Sequence, residues 1–117
     1  MRTITYAQAI KEAIAEEMRR DPSVILYGED VANFGGIFKI TAGLKEEFGE
    51  ERVFDTPISE NAIVGAGVGA AITGLRPIVE LQFADFLFTA ADEIVLKAGM
   101  WRYVHGGAIR FRLMSAC

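Results

Sequence analysis

The sequence predicts an α/β fold, a parallel sheet flanked by helices, from two observations. Short β-rich runs alternate with stretches of helical periodicity, and the segments between successive runs are long enough for the crossover connections that parallel neighbours need. The first helix is signalled by Thr5 and, three residues on, Gln8, a capping-box spacing. Tyr6, Ile10, Ile14 and Met18 then repeat every fourth position up to Asp21-Pro22. "VILY" (Val24 to Tyr27), apolar and bounded by Pro22 and Gly28, reads as a buried strand. "EDVANFGG" leaves it as a loop. A short helix is expected over Thr41 to Phe48, stopped by Gly49, and a second strand over Arg52 to Asp55. Ser59 offers an N-cap for a helix from about Glu60 to Thr73, ended by Gly74. "RPIVELQF" is a third strand, with Pro77 tolerable near its start. Phe86 to about Tyr103 reads as one long, half-buried helix closed by Gly106-Gly107.

Composition narrows the function. Hydrophobic residues make up 51% of 117, enough for one domain with a core. The net charge of −4, with no cluster of Lys and Arg among aromatics, argues against nucleic-acid binding. The only cysteine is Cys117, so no disulfide forms within one chain and a reducing compartment is expected. The N-terminal segment has no apolar signal core, and its glutamates argue against a transit peptide. The longest apolar run, Ala62 to Leu75, is short of the ~20 residues that span a bilayer. A soluble cytoplasmic protein, with no membrane partner, is the expectation.

In parallel sheets ligands gather beyond the carboxyl ends of the strands. Two segments leaving strands there carry acids: "GED" (Gly28 to Asp30) and "DTPISE" (Asp55 to Glu60). Glu60 has two readings. Acids are common in the first helical turn, where the dipole favours negative charge. Its sequence neighbours Pro57, Ile58, Ala62, Ile63 and Val64 give little polar solvation, however, and a carboxyl among apolar groups suits proton exchange with a ligand. Gly65, Gly67 and Gly69 have the spacing G-x-G-x-G inside a helix, not the G-x-G-x-x-G that opens one. Close approach of another backbone to a flat Gly65/Gly69 face, within the core or at a subunit boundary, is the simpler cause. His105, the only histidine, offers no metal site.

"LYGEDV", "GGIFKITAGLKEEFG", "RVFDTPISENAIVGAGVGAAITGLRPIVELQFADF" and "WRYVHGG" resemble the β chain of the E1 component of 2-oxo acid dehydrogenase complexes. The pyruvate dehydrogenase form is nearest, with acetoin and branched-chain forms similar. The likeness runs from Thr3 to Gly107. It implies a transketolase-like pyrimidine-binding fold and thiamine diphosphate as cofactor. The family glutamate matching Glu60 hydrogen-bonds N1′ of the aminopyrimidine, which favours the imino form that deprotonates the thiazolium. The decarboxylated acyl unit then passes to lipoyl groups. Phe86 matches an aromatic packed against the aminopyrimidine, Ile58 a pocket residue and Glu29 an acid near the cofactor. Taken without the likeness, Phe86 and Ile58 are ordinary packing residues and Glu29 a solvated loop acid.

The implied partners are an E1 α chain, a second β chain, the E2 lipoyl acyltransferase and a 2-oxo acid substrate. In the family the diphosphate and its Mg2+ are held by a G-D-G…N motif on the α chain, and this sequence has no such motif. The family β chain is also longer, with a second domain, and "AIRFRLMSAC" departs from its pattern. The 117 residues are therefore expected to be the N-terminal part of the pyrimidine-binding domain, from a fragment or a truncated frame, without the C-terminal domain. Two other readings remain: a doubly wound nucleotide-binding module, and a remnant that turns nothing over.

Overall fold

A computed structural model describes residues 2–110 and 112–116. The expectation for Cys117 lies outside the described residues. A sheet of four strands, all neighbours parallel, runs in the order β2-β1-β3-β4, with β1 at Val24–Gly28, β2 at Val53–Asp55, β3 at Arg76–Glu80 and β4 at Met114–Ala116. Helix α1 (Tyr6–Arg20) precedes β1, α2 (Leu44–Phe48) precedes β2, and α3 (Glu60–Ile72) links β2 to β3. A helical segment then leads through α4 (Met100–Val104) to β4.

The central pair is β1 with β3, in register from Val24 opposite Arg76 to Gly28 opposite Glu80. β1 is buried at every position, because it is covered on both faces. Successive side chains of a strand point to opposite faces. Val24 and Leu26 accordingly meet Ile14, Met18, Leu44 and Val53 on the α1 side, and Ile25 and Tyr27 meet Ile63, Val64 and Val79 on the α3 side. Arg52 ties α1 to this frame: its guanidinium donates to the carbonyls of Met18 (2.8 Å), Asp21 (3.0 Å) and Val24 (2.9 Å).

Several elements differ from the sequence-based expectation. The capping box is half formed. Gln8 N–H donates to Thr5 Oγ1 at 3.2 Å, while the Gln8 side chain donates forward to Glu12. α2 starts at Leu44 rather than Thr41, because Gly43 lies at φ +84°, outside helical space. Thr41, buried ahead of it, donates to Val31 O at 2.7 Å instead. Ser59 holds the N-cap position of α3 without a side-chain cap bond.

The expected single helix from Phe86 to Tyr103 is three pieces: a 3-10 helix at Ala84–Ala90, a π-helix at Glu93–Gly99, and α4. The inward stripe of Leu87, Ala90, Ile94 and Trp101 does follow a helical period, but a stripe fixes only which side faces inward, and rings of different size satisfy it almost equally. Gly106 and Gly107, at φ +61° and +83°, close the segment as expected.

The glycines of α3 divide their work differently from the predicted flat Gly65/Gly69 face. Gly67 makes the close approach: a Cβ there would lie 2.9 Å from Val79 and 3.0 Å from the Tyr27 hydroxyl. Gly65 admits the Glu93 carboxylate, 3.1 Å from such a Cβ, and Gly69 meets nothing within 4 Å. At Gly28 an added Cβ would collide with the Glu80 carbonyl.

Two substitutions should therefore move stability in opposite directions. Gly28→Ala should lose about 1–3 kcal/mol, the usual cost of overpacking. Gly69→Ala should gain up to about 1 kcal/mol, since glycine inside a helix costs about that much. Urea unfolding of both variants checks this, and a destabilised Gly69→Ala would show that the face is covered.

Candidate functional site

The C-terminal ends of β1, β2 and β3 lie together in the parallel register, and each delivers carboxylates. β1 ends at Gly28 and passes to Glu29 and Asp30, β2 ends in Asp55, and β3 ends in Glu80. Glu60 opens α3 five residues after β2.

Asp55 organises the loops around this edge. Its carboxylate accepts from Ala32 N–H at 2.6 Å, from Asn33 N–H at 3.2 Å and from the Asn33 amide at 2.5 Å. Thr56 N–H donates to Gly28 O at 2.9 Å. The first loop is thereby fastened to the start of the second. Asp30 sits at φ +55° in that first loop, a conformation that Asp tolerates better than most residues. Its carbonyl accepts from Gly36 N–H at 2.8 Å.

Glu29 is 6% exposed, so the solvated-loop reading of it is wrong. Burial pushes its carboxyl above the ordinary value, and the charges of Glu60 and then Asp30 push it further. Glu29 and Glu60, far apart in sequence, thus feel one another across the mouth. Glu80 is raised too, by burial. A Cβ on Gly36 would lie 3.1 Å from its Oε1, so the Gly35-Gly36 turn passes directly over it. Sequence reasoning missed Glu80. The available signal was an acid at the carboxyl end of the third strand, where ligands gather.

Glu60 itself is half-buried. The dry setting expected from its sequence neighbours is not formed by this chain, because Pro57, Ile58 and Ala62 are all exposed. Helix geometry explains Ala62, since Ile63 and Val64 turn into the core and Ala62 turns out, while Pro57 and Ile58 lie in the loop before α3. Ile58, expected in the pocket, is 81% exposed. Phe86 is half-buried and stands edge-on to Phe83, with ring centroids 5.8 Å apart, and Phe83 is edge-on to Phe38 at 6.1 Å. This aromatic row joins the loop after β3 to the loop after β1.

Between α3 and β2 lies an apolar groove of about 340 Å3, lined by Tyr27, Phe54, Pro57, Ala62 and Ala66 among others. Tyr27 and Phe54 stack with centroids 5.0 Å apart. The Tyr27 hydroxyl donates to Ile63 O at 3.0 Å, and burial pushes its pKa up to about 12, so it remains a donor. Thr56 Oγ1, at the mouth of this groove, is buried and has no hydrogen-bond partner among the described residues. On the other side of α3, Asn61 donates to Asp92 at 2.8 Å, and the buried Glu93, paired with Lys97, fills the space at Gly65. The first turns of α3, and Glu60 with them, are held on that side.

Among the described residues no three His, Cys, Asp or Glu side chains come together as a metal site. His105 caps the end of α4 and stands edge-on to Trp101. No described helix is long and apolar enough to cross a membrane.

Fold and site together define an α/β ligand-binding domain whose acidic mouth lies at the carboxyl edge of a parallel sheet. The match to "Transketolase, pyrimidine binding domain" over residues 2–110 makes the assignment specific, and the chain belongs to that family. It is 54% identical over 103 residues to the 2-oxoisovalerate dehydrogenase subunit beta of Bacillus subtilis, covering 88% of this chain and 32% of that one. It is 45% identical over 107 residues to the pyruvate dehydrogenase E1 component subunit beta of Staphylococcus epidermidis, covering 92% and 33%. A chloroplastic pyruvate dehydrogenase E1 component subunit beta-3 of Oryza sativa is 49% identical over 107 residues, covering 92% and 27%. The chain spans about a third of the length of the curated relatives it matches.

The raised carboxyls make stability depend on pH. A folded-state value above the unfolded one favours folding at low pH, and that contribution is lost as pH rises through the raised value. Glu80→Gln should therefore lose less stability than the unaltered chain as pH climbs from 4.5, the ordinary value, to neutrality. Urea midpoints across that range test it, and parallel curves for the two proteins would refute it.

Proposed function

We propose that this chain is the aminopyrimidine-binding part of the E1 β subunit of a thiamine diphosphate-dependent 2-oxo acid dehydrogenase, with pyruvate as the first candidate substrate. The observation that carries the reading is Glu60 at the first residue of α3, facing the buried Glu29 in a domain of the pyrimidine-binding family.

The residues present fit an aminopyrimidine. Thr56 Oγ1 is a buried polar atom without a partner among the described residues. The Phe83-Phe86 pair offers an aromatic edge and face, and the carboxyls of Glu29 and Glu60 offer hydrogen bonds to ring and exocyclic nitrogens. When bound, thiamine diphosphate supplies the nucleophilic carbon and the electron sink for decarboxylation.

This chain's part is proton placement. The Glu60 carboxyl would hold a proton for the pyrimidine nitrogen of the bound group, and its place at the first residue of α3 positions it. Glu29, buried beside it, binds its proton more firmly than a free carboxyl, because burial and the nearby charge of Glu60 both disfavour its ionised form. Phe86, edge-on to Phe83, would pack against the ring and keep water from it. Ile58, exposed in this chain, would be covered by the partner that completes the pocket.

That partner is an E1 α chain, which would hold the diphosphate and its Mg2+. A second β chain and the lipoyl-bearing E2 complete the proposed assembly. The 117 residues would form the N-terminal part of the pyrimidine-binding domain, and the proposed location is the cytoplasm. A second reading, a branched-chain 2-oxo acid dehydrogenase, is favoured by the 54% identity to the 2-oxoisovalerate dehydrogenase subunit beta.

Glu60→Gln in the full-length β chain, assembled with α, should keep assembly and lose about 10²–10⁴ of turnover, the usual contribution of a positioned proton donor or acceptor. Undiminished decarboxylation would reassign Glu60 to the helix dipole. Comparing turnover of pyruvate with that of 2-oxoisovalerate on the unaltered assembly decides between the two substrate readings.

A further inference from the structure

At the opposite edge of the sheet from the acidic mouth, the end of α3 and the last helical turns enclose a cleft of about 660 Å3. Arg76, Arg102, Arg110 and Arg112 line it, half of the arginines in the sequence. Leu75 and Ile109 give it an apolar wall, and no acidic residue among the described residues lines it.

Arg76 opens β3, whereas Glu80 closes it, which separates this cleft from the mouth by the length of the strand. Arg76 pairs with Asp21 at 3.0 Å. Arg102, Arg110 and Arg112 are exposed and form no ion pair among the described residues. Every Asp and Glu of this acidic chain lies at or before Glu93, so the segment that brings these three arginines has no acidic side chain. The carboxyl end of α3 also faces the cleft, and its dipole, equivalent to about half a negative charge, cancels only part of one guanidinium.

Guanidinium forks bind phosphate oxygens two at a time, and several converging on one space suit a ligand that carries several charges close together. The volume lies within the ~300–1,000 Å3 of small-molecule sites, larger than one phosphate needs. We propose that this cleft binds a phosphate-bearing small molecule of nucleotide size, its phosphates on Arg102, Arg110, Arg112 and the free side of Arg76, its uncharged part against Leu75 and Ile109. The site is independent of the Glu60 chemistry.

The test is titration of the chain with ADP, inorganic pyrophosphate and succinate, read by calorimetry and by the fluorescence of Trp101, the only tryptophan, next to Arg102. Saturable binding is expected for ADP and pyrophosphate, tighter for ADP, weakening as salt is added, with no binding of the dicarboxylate. Arg102→Ala with Arg112→Ala should weaken both by at least about tenfold, as loss of two charge-assisted contacts requires. Arg102→Lys, which keeps charge and fold but not the fork, should weaken them by a smaller factor. Lys39→Ala, the loss of one positive charge in the loop after β1 and away from the cleft, should leave binding unchanged. No saturation by ADP or pyrophosphate, equal binding of succinate, or equal weakening by Lys39→Ala would overturn the proposal.

Discussion

The contact between Gly28 and the Glu80 carbonyl governs the rest of the molecule. It lets β1 and β3 stay paired through their last residues. Because the pair is parallel, both strands release their loops at the same edge. Because it stays closed to its end, those loops begin side by side. Glu29 leaves one strand and Glu80 ends the other, and Asp55, at the end of β2 on the far side of β1, then fastens the first loop through three hydrogen bonds. A side chain at Gly28 would part the strands where the acids converge.

Convergence carries an electrostatic cost that a domain selected for stability alone would avoid. Burial disfavours the charged form of Glu29 and of Glu80, and Glu60 adds like-charge repulsion at Glu29. Nothing basic among the described residues forms an ion pair with any of the three. Groups left in that condition are the ones a nitrogen-rich ligand would relieve. The unpartnered Thr56 hydroxyl has the same character on a smaller scale.

Helix α3 shows how one apolar segment serves several neighbours. Val64 and Val68 enter the core, and Gly67 lets the helix close on Val79 and Tyr27. Gly65 gives room to Glu93, while Ala62 and Gly69 face outward. The helix is apolar on all sides, and such helices have neighbours on all sides. In this chain one side remains open along the groove beside β2, next to the exposed Ile58.

The alternation of β-rich and helical segments was legible in the sequence, as were α1, β1, β2, α3 and β3 to within a few residues, because local periodicity and the bounding Pro and Gly residues act over short range. Glu60 at the start of a helix was legible for the same reason, and the family likeness was carried by contiguous stretches. Other features depended on residues distant in the chain. The burial of Glu29 and the seating of the Glu80 carboxylate at the Gly35-Gly36 turn depend on segments distant in the chain. The exposure of Ala62 contradicted its composition because helix phase, not hydrophobicity, decides which residues turn inward, and Ile58 stands in the loop before α3. The change from 3-10 to π to α between Ala84 and Val104 followed from packing on α3, which a hydrophobic stripe does not specify. What the sequence determined by itself was the order of elements through β3 and the family; the fourth strand, β4, was not among its expectations. What only the tertiary structure decided was which charges meet, because electrostatic coupling falls with distance in space and takes no account of distance along the chain.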